Sequence, residues 1–99
     1  MALYTPPPIL ADGESLLFVT HLSIIPGRYV EAIRTLKNPR VPQGVRVREY
    51  LGVFSMHDAE MIFEAPDEGT AVEFVGQFGE FFKTETSVAF PVEEFKWTI

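Results

Sequence analysis

The segment from Tyr50 to Pro66 constrains the fold of this chain more than any other part of the sequence. It contains two runs of residues typical of β-strands, and the common turn residue Asp58 lies between them. Pro66 ends the second run, and the acidic residues that follow it are favourable in the first turn of a helix. The segment therefore predicts a β-hairpin, with residues 56–58 as its loop, followed directly by a helix.

Strand and helix patterns on both sides of this hairpin complete the order β-α-β-β-α-β. Residues Leu16–Ile25 are apolar at both alternating positions, which is typical of a central strand covered on both faces. A helical pattern then runs as far as Lys37, and the last strand covers Thr84–Phe90. With right-handed connections, this order predicts a ferredoxin-like α+β two-layer sandwich with strand order 4-1-3-2 and both helices on one face of an antiparallel sheet.

Two predicted segments flank a central domain. The domain is predicted to occupy residues 15–91, and the triple proline at residues 6–8 predicts an extended arm over residues 1–14. Residues 92–99 predict an edge strand or tail that packs at a subunit interface. A 99-residue chain builds only a modest core, yet 46% of its residues are hydrophobic. This surplus of apolar surface indicates association with another copy of the chain.

The alternation of side chains assigns each strand residue to one of two sheet faces. With residues 56–58 as the loop, Tyr50 pairs with Glu64 and Leu51 pairs with Phe63, although a single β-bulge would exchange the faces locally. The surface opposite the helices, the helix-free face, then combines a dry central strand with ionisable neighbours: Leu17, Val19, His21, Ser23, Arg46, Arg48, Tyr50, Phe54, Glu60, Ile62, Glu64, Glu85, Ser87 and Ala89. Two such faces closing on each other would form a homodimeric barrel with a polar-lined cavity.

The composition disfavours several classes of partner. A net charge of −6 and a pI near 4.8 disfavour binding to nucleic acid or to an anionic membrane surface. The lack of cysteine excludes disulfides, thiolate nucleophiles and zinc–sulfur sites. No run approaches the about 20 apolar residues of a membrane span, and the N-terminus lacks the pattern of a signal peptide. We therefore expect a cytoplasmic protein.

Several short motifs resemble a known family. The run Asp58–Asp67, followed by Thr84-Glu-Thr86 and Val92-Glu-Glu-Phe95, resembles the GYD-domain proteins, which are small members of the dimeric α/β-barrel superfamily. Their signature turn has glycine, a variable residue, tyrosine and aspartate, whereas this chain has residues 55–58, Ser-Met-His-Asp. The role of that tyrosine therefore does not carry over.

The loop over residues 39–47, with Pro42-Gln-Gly-Val-Arg-Val47, also resembles a neighbouring, uncharacterised barrel family. These resemblances imply a dimeric α/β barrel. They imply no particular activity, because the superfamily includes monooxygenases, isomerases, haem enzymes and ligand sensors.

Eight residues are candidates for a functional site. We predict that the cavity is lined by His21, Arg48, Tyr50, Glu60, Glu64 and Glu85, with His57 and Asp58 at its rim. His21 is the candidate catalytic residue, because an imidazole changes charge near neutral pH and can act as a general base. The same residue is consistent with a structural histidine bonded to a carboxylate.

Other interpretations of these residues stay open. The charged members of the set are also consistent with exposed cross-strand ion pairs, each contributing about 0–1 kcal/mol. The tip of a turn is an ordinary place for a solvated histidine and aspartate. Two histidines and scattered carboxylates lack the spacing of a metal site, and no phosphate-binding loop or catalytic triad pattern is present. No metal and no cofactor is therefore predicted.

Two classes of function follow from this sequence. The first is a small-molecule-binding protein or cofactor-independent enzyme, for which an anionic, partly aromatic ligand would suit Arg48 and Tyr50. The second is a non-catalytic structural or regulatory interaction module with a filled barrel. Haem binding is a third. Cavity volume separates the first two, because ligand sites occupy a few hundred Å³.

Overall fold

A computed structural model of the chain describes residues 15–94. The predicted arm over residues 1–14 and most of the predicted C-terminal segment, residues 95–99, lie outside the described residues. The elements are β1 (Leu16–Ile24), α1 (Tyr29–Lys37), β2 (Arg46–Gly52), β3 (Ala59–Ala65), α2 (Glu68–Gly76) and β4 (Phe82–Ala89), followed by one 3-10 turn (Val92–Glu94).

The four strands form one antiparallel sheet in the order β2-β3-β1-β4. This arrangement confirms the predicted ferredoxin-like α+β fold. β1 is central, as its doubly apolar sequence predicts, and pairs with both β3 and β4. None of the described helices is long and apolar enough to cross a membrane.

The core lies between the helices and one face of the sheet. Phe18 and Leu22 of β1 point into it and are 3% and 0% exposed. Phe74 of α2 contacts Phe63 of β3 edge to face, with ring centroids 4.9 Å apart. Phe78, in the turn after α2, extends the same chain of edge-to-face contacts to Phe82. Such aromatic pairs stabilise a core beyond the area that they bury.

The two helices begin differently. Asp67 caps α2, because its Oδ1 accepts a hydrogen bond of 2.7 Å from the backbone N–H of Thr70. This hydrogen bond lowers the pKa of Asp67. α1 has no side-chain cap, and its approach turns at Gly27, whose φ of +87° is unfavourable for other residues.

The predicted register of the hairpin is wrong. A longer connection to β3 and a β-bulge between Val47 and Glu49 together shift β2, so that Arg46 lies opposite Glu64 and Tyr50 lies opposite Met61. Beyond the bulge, the residues of β2 exchange faces relative to the prediction. The connection between β2 and β3 is also longer than predicted and covers residues 53–58. Both differences arise from local backbone geometry that the alternation of residue types does not record.

The bulge changes which residues of β2 lie on the helix-free face. Leu51 lies opposite Glu60 on this face, whereas the predicted register paired it with Phe63 on the core side. Tyr50 moves to the helix side. The residues of β1, β3 and β4 on the helix-free face are those that the alternation predicts: Leu17, Val19, His21, Ser23, Glu60, Ile62, Glu64, Glu85, Ser87 and Ala89.

Candidate functional site

The helix-free face has two ends that differ in burial. At one end, Leu17 and Glu64 are 3% and 2% exposed, although neither faces a helix. At the other end, the side chains of His21 and Glu60 are 35% and 32% exposed. We call these the buried end and the accessible end.

The buried end is organised by an ion pair. Nη1 of Arg48, at the bulge in β2, donates a hydrogen bond of 2.7 Å to Oε2 of Glu64. Because Glu64 is almost fully buried, its charge needs this partner to remain inside the protein. These two predicted ligand-binding residues therefore neutralise each other, and their contact is structural.

Tyr50, a third predicted ligand-binding residue, lies on the opposite side of the sheet. Its hydroxyl donates a hydrogen bond of 2.5 Å to the backbone carbonyl of Leu36 in α1. Desolvation by burial raises the pKa of Tyr50 from 10.0 to about 12. The hydroxyl therefore joins β2 to the last turn of α1 and does not face the accessible end.

The loop over residues 53–58 is anchored on β1 by Asp58. The backbone N–H of Asp58 donates to the carbonyl of Leu22, and the backbone N–H of Ile24 donates to Oδ2 of Asp58, both at 2.8 Å. The carbonyl of Asp58 accepts a further hydrogen bond from Val53 at 3.1 Å. These contacts fold the loop back over the end of β1 and position the residue before Asp58, which is His57.

His57 stacks on His21. The centroids of the two imidazole rings are 4.5 Å apart, and the ring planes differ by 23°. Nδ1 of His57 lies 3.1 Å from Oγ of Ser23, within hydrogen-bonding distance. Nδ1 of His21 is buried and lies 3.0 Å from Oε2 of Glu60, but the alignment is not that of a hydrogen bond. The contact is therefore mainly electrostatic.

Both rings thus turn Nδ1 toward other protein atoms. Within residues 15–94, neither Nε2 atom makes a hydrogen bond. A neutral imidazole has one donor and one acceptor nitrogen, so each Nε2 remains able to exchange a proton or hydrogen bond with a bound molecule.

A cavity of about 220 Å³ lies beside the histidine pair. Its lining consists of two histidines, a hydroxyl, a thioether, an ammonium and a carboxylate: His21, Ser23, Met56, His57, Lys83 and Glu85. The register explains this grouping, since Glu85 lies opposite His21 and Lys83 lies opposite Ser23 on adjacent strands. The cavity combines acid–base groups with one cation.

The structure brings together some of the predicted site residues and separates others. His21, His57 and Glu85 line the cavity, Glu60 contacts His21, and Asp58 holds the loop. The prediction did not include Lys83, Ser23 or Met56 as site residues. Lys83 carried a usable signal, because it lies two positions before Glu85 and therefore on the same face of β4.

The cavity is not a metal centre of the usual composition. Among the described residues, no group of three or more histidine, aspartate or glutamate side chains is arranged to hold a metal ion. The chemistry that the cavity offers is proton transfer, hydrogen bonding and charge pairing.

Comparisons with known proteins do not identify the chain. Its sequence matches no protein family model, and no curated protein is significantly similar to it. The resemblance to the GYD-domain proteins therefore stays a prediction.

Proposed function

We propose that the chain binds a small aromatic molecule with an acidic substituent in the cavity beside the histidine pair. The observation that carries the proposal is the stack of His21 and His57, in which both Nδ1 atoms contact protein groups and both Nε2 atoms remain available. A phenolic hydroxyl or a carboxylate would exchange hydrogen bonds with these nitrogens.

Lys83 favours an anionic group on this molecule. Arg48, the cation expected from the sequence, is paired with Glu64, whereas Lys83 lines the cavity. Charge-assisted hydrogen bonds are stronger than neutral ones, so an ammonium at the cavity would select a carboxylate or phenolate. Glu85 and Glu60 would disfavour a ligand with more than one negative charge.

The proposal includes a homodimer that closes the cavity. A volume of about 220 Å³ is below the about 300 Å³ at which small-molecule sites usually start, and a second helix-free face would add a wall. Exposed apolar side chains on this face and in the loop over residues 53–58 support the association: Leu51 is 48% exposed, Phe54 fully exposed and Met56 91% exposed.

The histidine pair also supports a catalytic role without a cofactor. A general base must lie within hydrogen-bonding reach of the proton that it removes, and either Nε2 meets this condition for a ligand in the cavity. His21, fixed on a strand and next to Glu60, is the better-positioned base, whereas His57 lies on a loop.

The alternative function is a non-catalytic interaction module. The exposed side chains of Phe54 and Met56 favour it, because they would also suit a partner protein. In that case the opposing subunit would fill the cavity with side chains and the histidines would have no ligand.

Isothermal titration calorimetry with 4-hydroxybenzoate tests the proposal. This probe presents a carboxylate, a phenol and a single flat ring. We expect saturable binding that weakens about tenfold or more in Lys83→Ala, because a charge-assisted hydrogen bond contributes about 1.5–3 kcal/mol. Lys37→Ala, which removes an exposed lysine at the end of α1, is the matched control and should bind as the unmodified protein does.

Two results would contradict separate parts of the proposal. Equal affinities for the two lysine variants, or no saturable heat, would remove the ligand assignment. A sedimentation-equilibrium mass of one chain at micromolar concentration would contradict the homodimer. The titration would still test the ligand site.

A further inference from the structure

A second cavity lies on the helix side of the sheet and shares no residue with the histidine site. It is a groove of about 500 Å³ between α2 and β4. Its lining is mainly apolar, with hydroxyls along the strand and one carboxylate: Phe18, Glu68, Ala71, Val72, Val75, Gly76, Gly79, Thr84, Thr86 and Val88. Val72 is 70% exposed and Val88 37% exposed, so apolar surface remains uncovered along the groove.

Two glycines leave open space in the groove that their own backbone conformation does not require. A Cβ atom added at Gly76 would meet nothing within 4 Å, and its backbone does not need the left-handed conformation. Gly79 is similar, since the nearest atom to an added Cβ is the carbonyl oxygen of Gly76 at 3.5 Å. Glycine is less favourable than alanine in a helix. The open space at Gly76, the last residue of α2, therefore suits a further segment or molecule that packs there.

We propose that residues 95–99 of the same chain bind in this groove. Their sequence, Phe-Lys-Trp-Thr-Ile, alternates three large apolar residues with polar ones, as an extended segment with one covered face does. Such a segment would place Phe95, Trp97 and Ile99 against Val72 and Val88.

The length and starting point of the segment fit the groove. The chain leaves β4 at Ala89, one residue beyond Val88 of the groove, and only residues 90–94, which end in the 3-10 turn Val92–Glu94, connect this point to the segment. Five extended residues span about 17 Å, and the lining from Thr84 to Val88 spans about 13 Å. A segment joined to the end of β4 by so short a connection has a high effective concentration at the groove.

The edge position of β4 favours this segment over the N-terminal one. Within the described sheet, β4 has a neighbour on one side only, so its other edge presents backbone groups that an extended segment can pair with. Residues 95–99 contain no proline, whereas residues 6–8 are three prolines that donate no backbone hydrogen bond.

The fluorescence of Trp97 tests the proposal, because it is the single tryptophan of the chain. We expect the unmodified protein to show blue-shifted emission and weak quenching by acrylamide. Val72→Glu should shift the emission to longer wavelength and increase the quenching, because it places a carboxylate in the groove. Val30→Glu is the matched control: Val30 is a 60% exposed valine on α1, and its substitution should leave Trp97 unchanged.

A second variant distinguishes a blocked groove from a misfolded protein. Gly76→Leu fills the groove without adding charge and should give the same spectral change, while far-ultraviolet circular dichroism reports the fold of each variant. Solvent-exposed emission in the unmodified protein, or equal spectra for Val72→Glu and Val30→Glu, would overturn the proposal.

Two further outcomes would assign the groove to another occupant. Emission that depends on protein concentration would place the segment on a second copy, which is the subunit contact expected from the sequence. A loss of thermal stability from Leu10→Ala that disappears in the Val72→Glu background would identify the N-terminal segment. Either result would overturn the intrachain assignment.

Discussion

Glu60 and Glu64 lie four residues apart on the same face of β3, yet they have different environments. Glu64 is 2% exposed and accepts a hydrogen bond of 2.7 Å from Arg48. Glu60 is about a third exposed and lies 3.0 Å from a histidine nitrogen without hydrogen-bond alignment. The Arg48–Glu64 pair is buried and structural. The contact of Glu60 leaves its partner, His21, able to interact with a ligand. A shared sheet face is therefore insufficient to assign a functional site, and burial and pairing decide it.

The largest expected effect comes from breaking the buried pair. Arg48→Ala leaves the Glu64 carboxylate buried, and removal of one partner of a buried pair costs about 3 kcal/mol or more of the free energy of unfolding. Glu60→Ala is the matched substitution at the accessible end and should cost about 1 kcal/mol or less. Urea denaturation measures both. Equal losses of stability would contradict the division of this face into two ends.

A smaller effect is expected from releasing the loop that carries His57. Asp58→Ala removes the carboxylate that accepts from the N–H of Ile24 at 2.8 Å, and we expect a loss of about 1.5 kcal/mol in the free energy of unfolding. The stack of His57 on His21 should be lost as well. Asp58→Asn keeps an acceptor oxygen and is the control.

Nuclear Overhauser contacts between the two imidazole rings would report this change directly. We expect them in the unmodified protein and in Asp58→Asn, and not in Asp58→Ala. Ring contacts that persist in Asp58→Ala would show that the loop is held by other interactions.

The smallest effect concerns the opposite side of the sheet. The pKa of Tyr50 is about 12 in the folded chain and 10.0 ordinarily, so the folded state binds this proton more tightly. Its contribution to stability is fully present below pH 10 and is lost as the pH rises toward 12. Because Tyr50 is 37% exposed, we expect only about 1 kcal/mol.

Tyr50→Phe removes the titrating group and isolates this contribution. Its stability should depend less on pH between 10 and 12 than that of the unmodified protein. Its affinity for 4-hydroxybenzoate at neutral pH should be unchanged, since Tyr50 does not line the cavity beside the histidines. A weaker affinity would contradict the placement of Tyr50 outside the site.

Much of the fold follows from the sequence, and the reason is periodicity. The doubly apolar β1 marks the centre of the sheet, and strict alternation assigns the faces of β1, β3 and β4 correctly. The same rule fails on β2, because the bulge near Arg48 changes the phase of the alternation. The residue types here give no sign of the bulge, so the alternation rule assigned Tyr50 to the wrong face.

The candidate site is less predictable than the fold. His21 and Glu85 share a face by alternation, and extending the rule by two residues would have added Lys83. His57 is different, because its place depends on contacts between Asp58 and the backbone of β1, which lies 34 residues earlier in the chain. No local pattern encodes such a contact. The tip of a predicted turn therefore became part of the cavity wall.

The central claim is that ligand binding belongs to the accessible end of the helix-free face. A titration with 4-hydroxybenzoate, followed by nuclear magnetic resonance of the imidazole Cε1–H and arginine Nε–H signals, tests it most directly. We predict saturable shifts of His21 and His57, the only two histidines in the chain, with no shift of Arg48. A saturable shift of Arg48 with unchanged histidine signals, or no saturable shift at all, would contradict the claim.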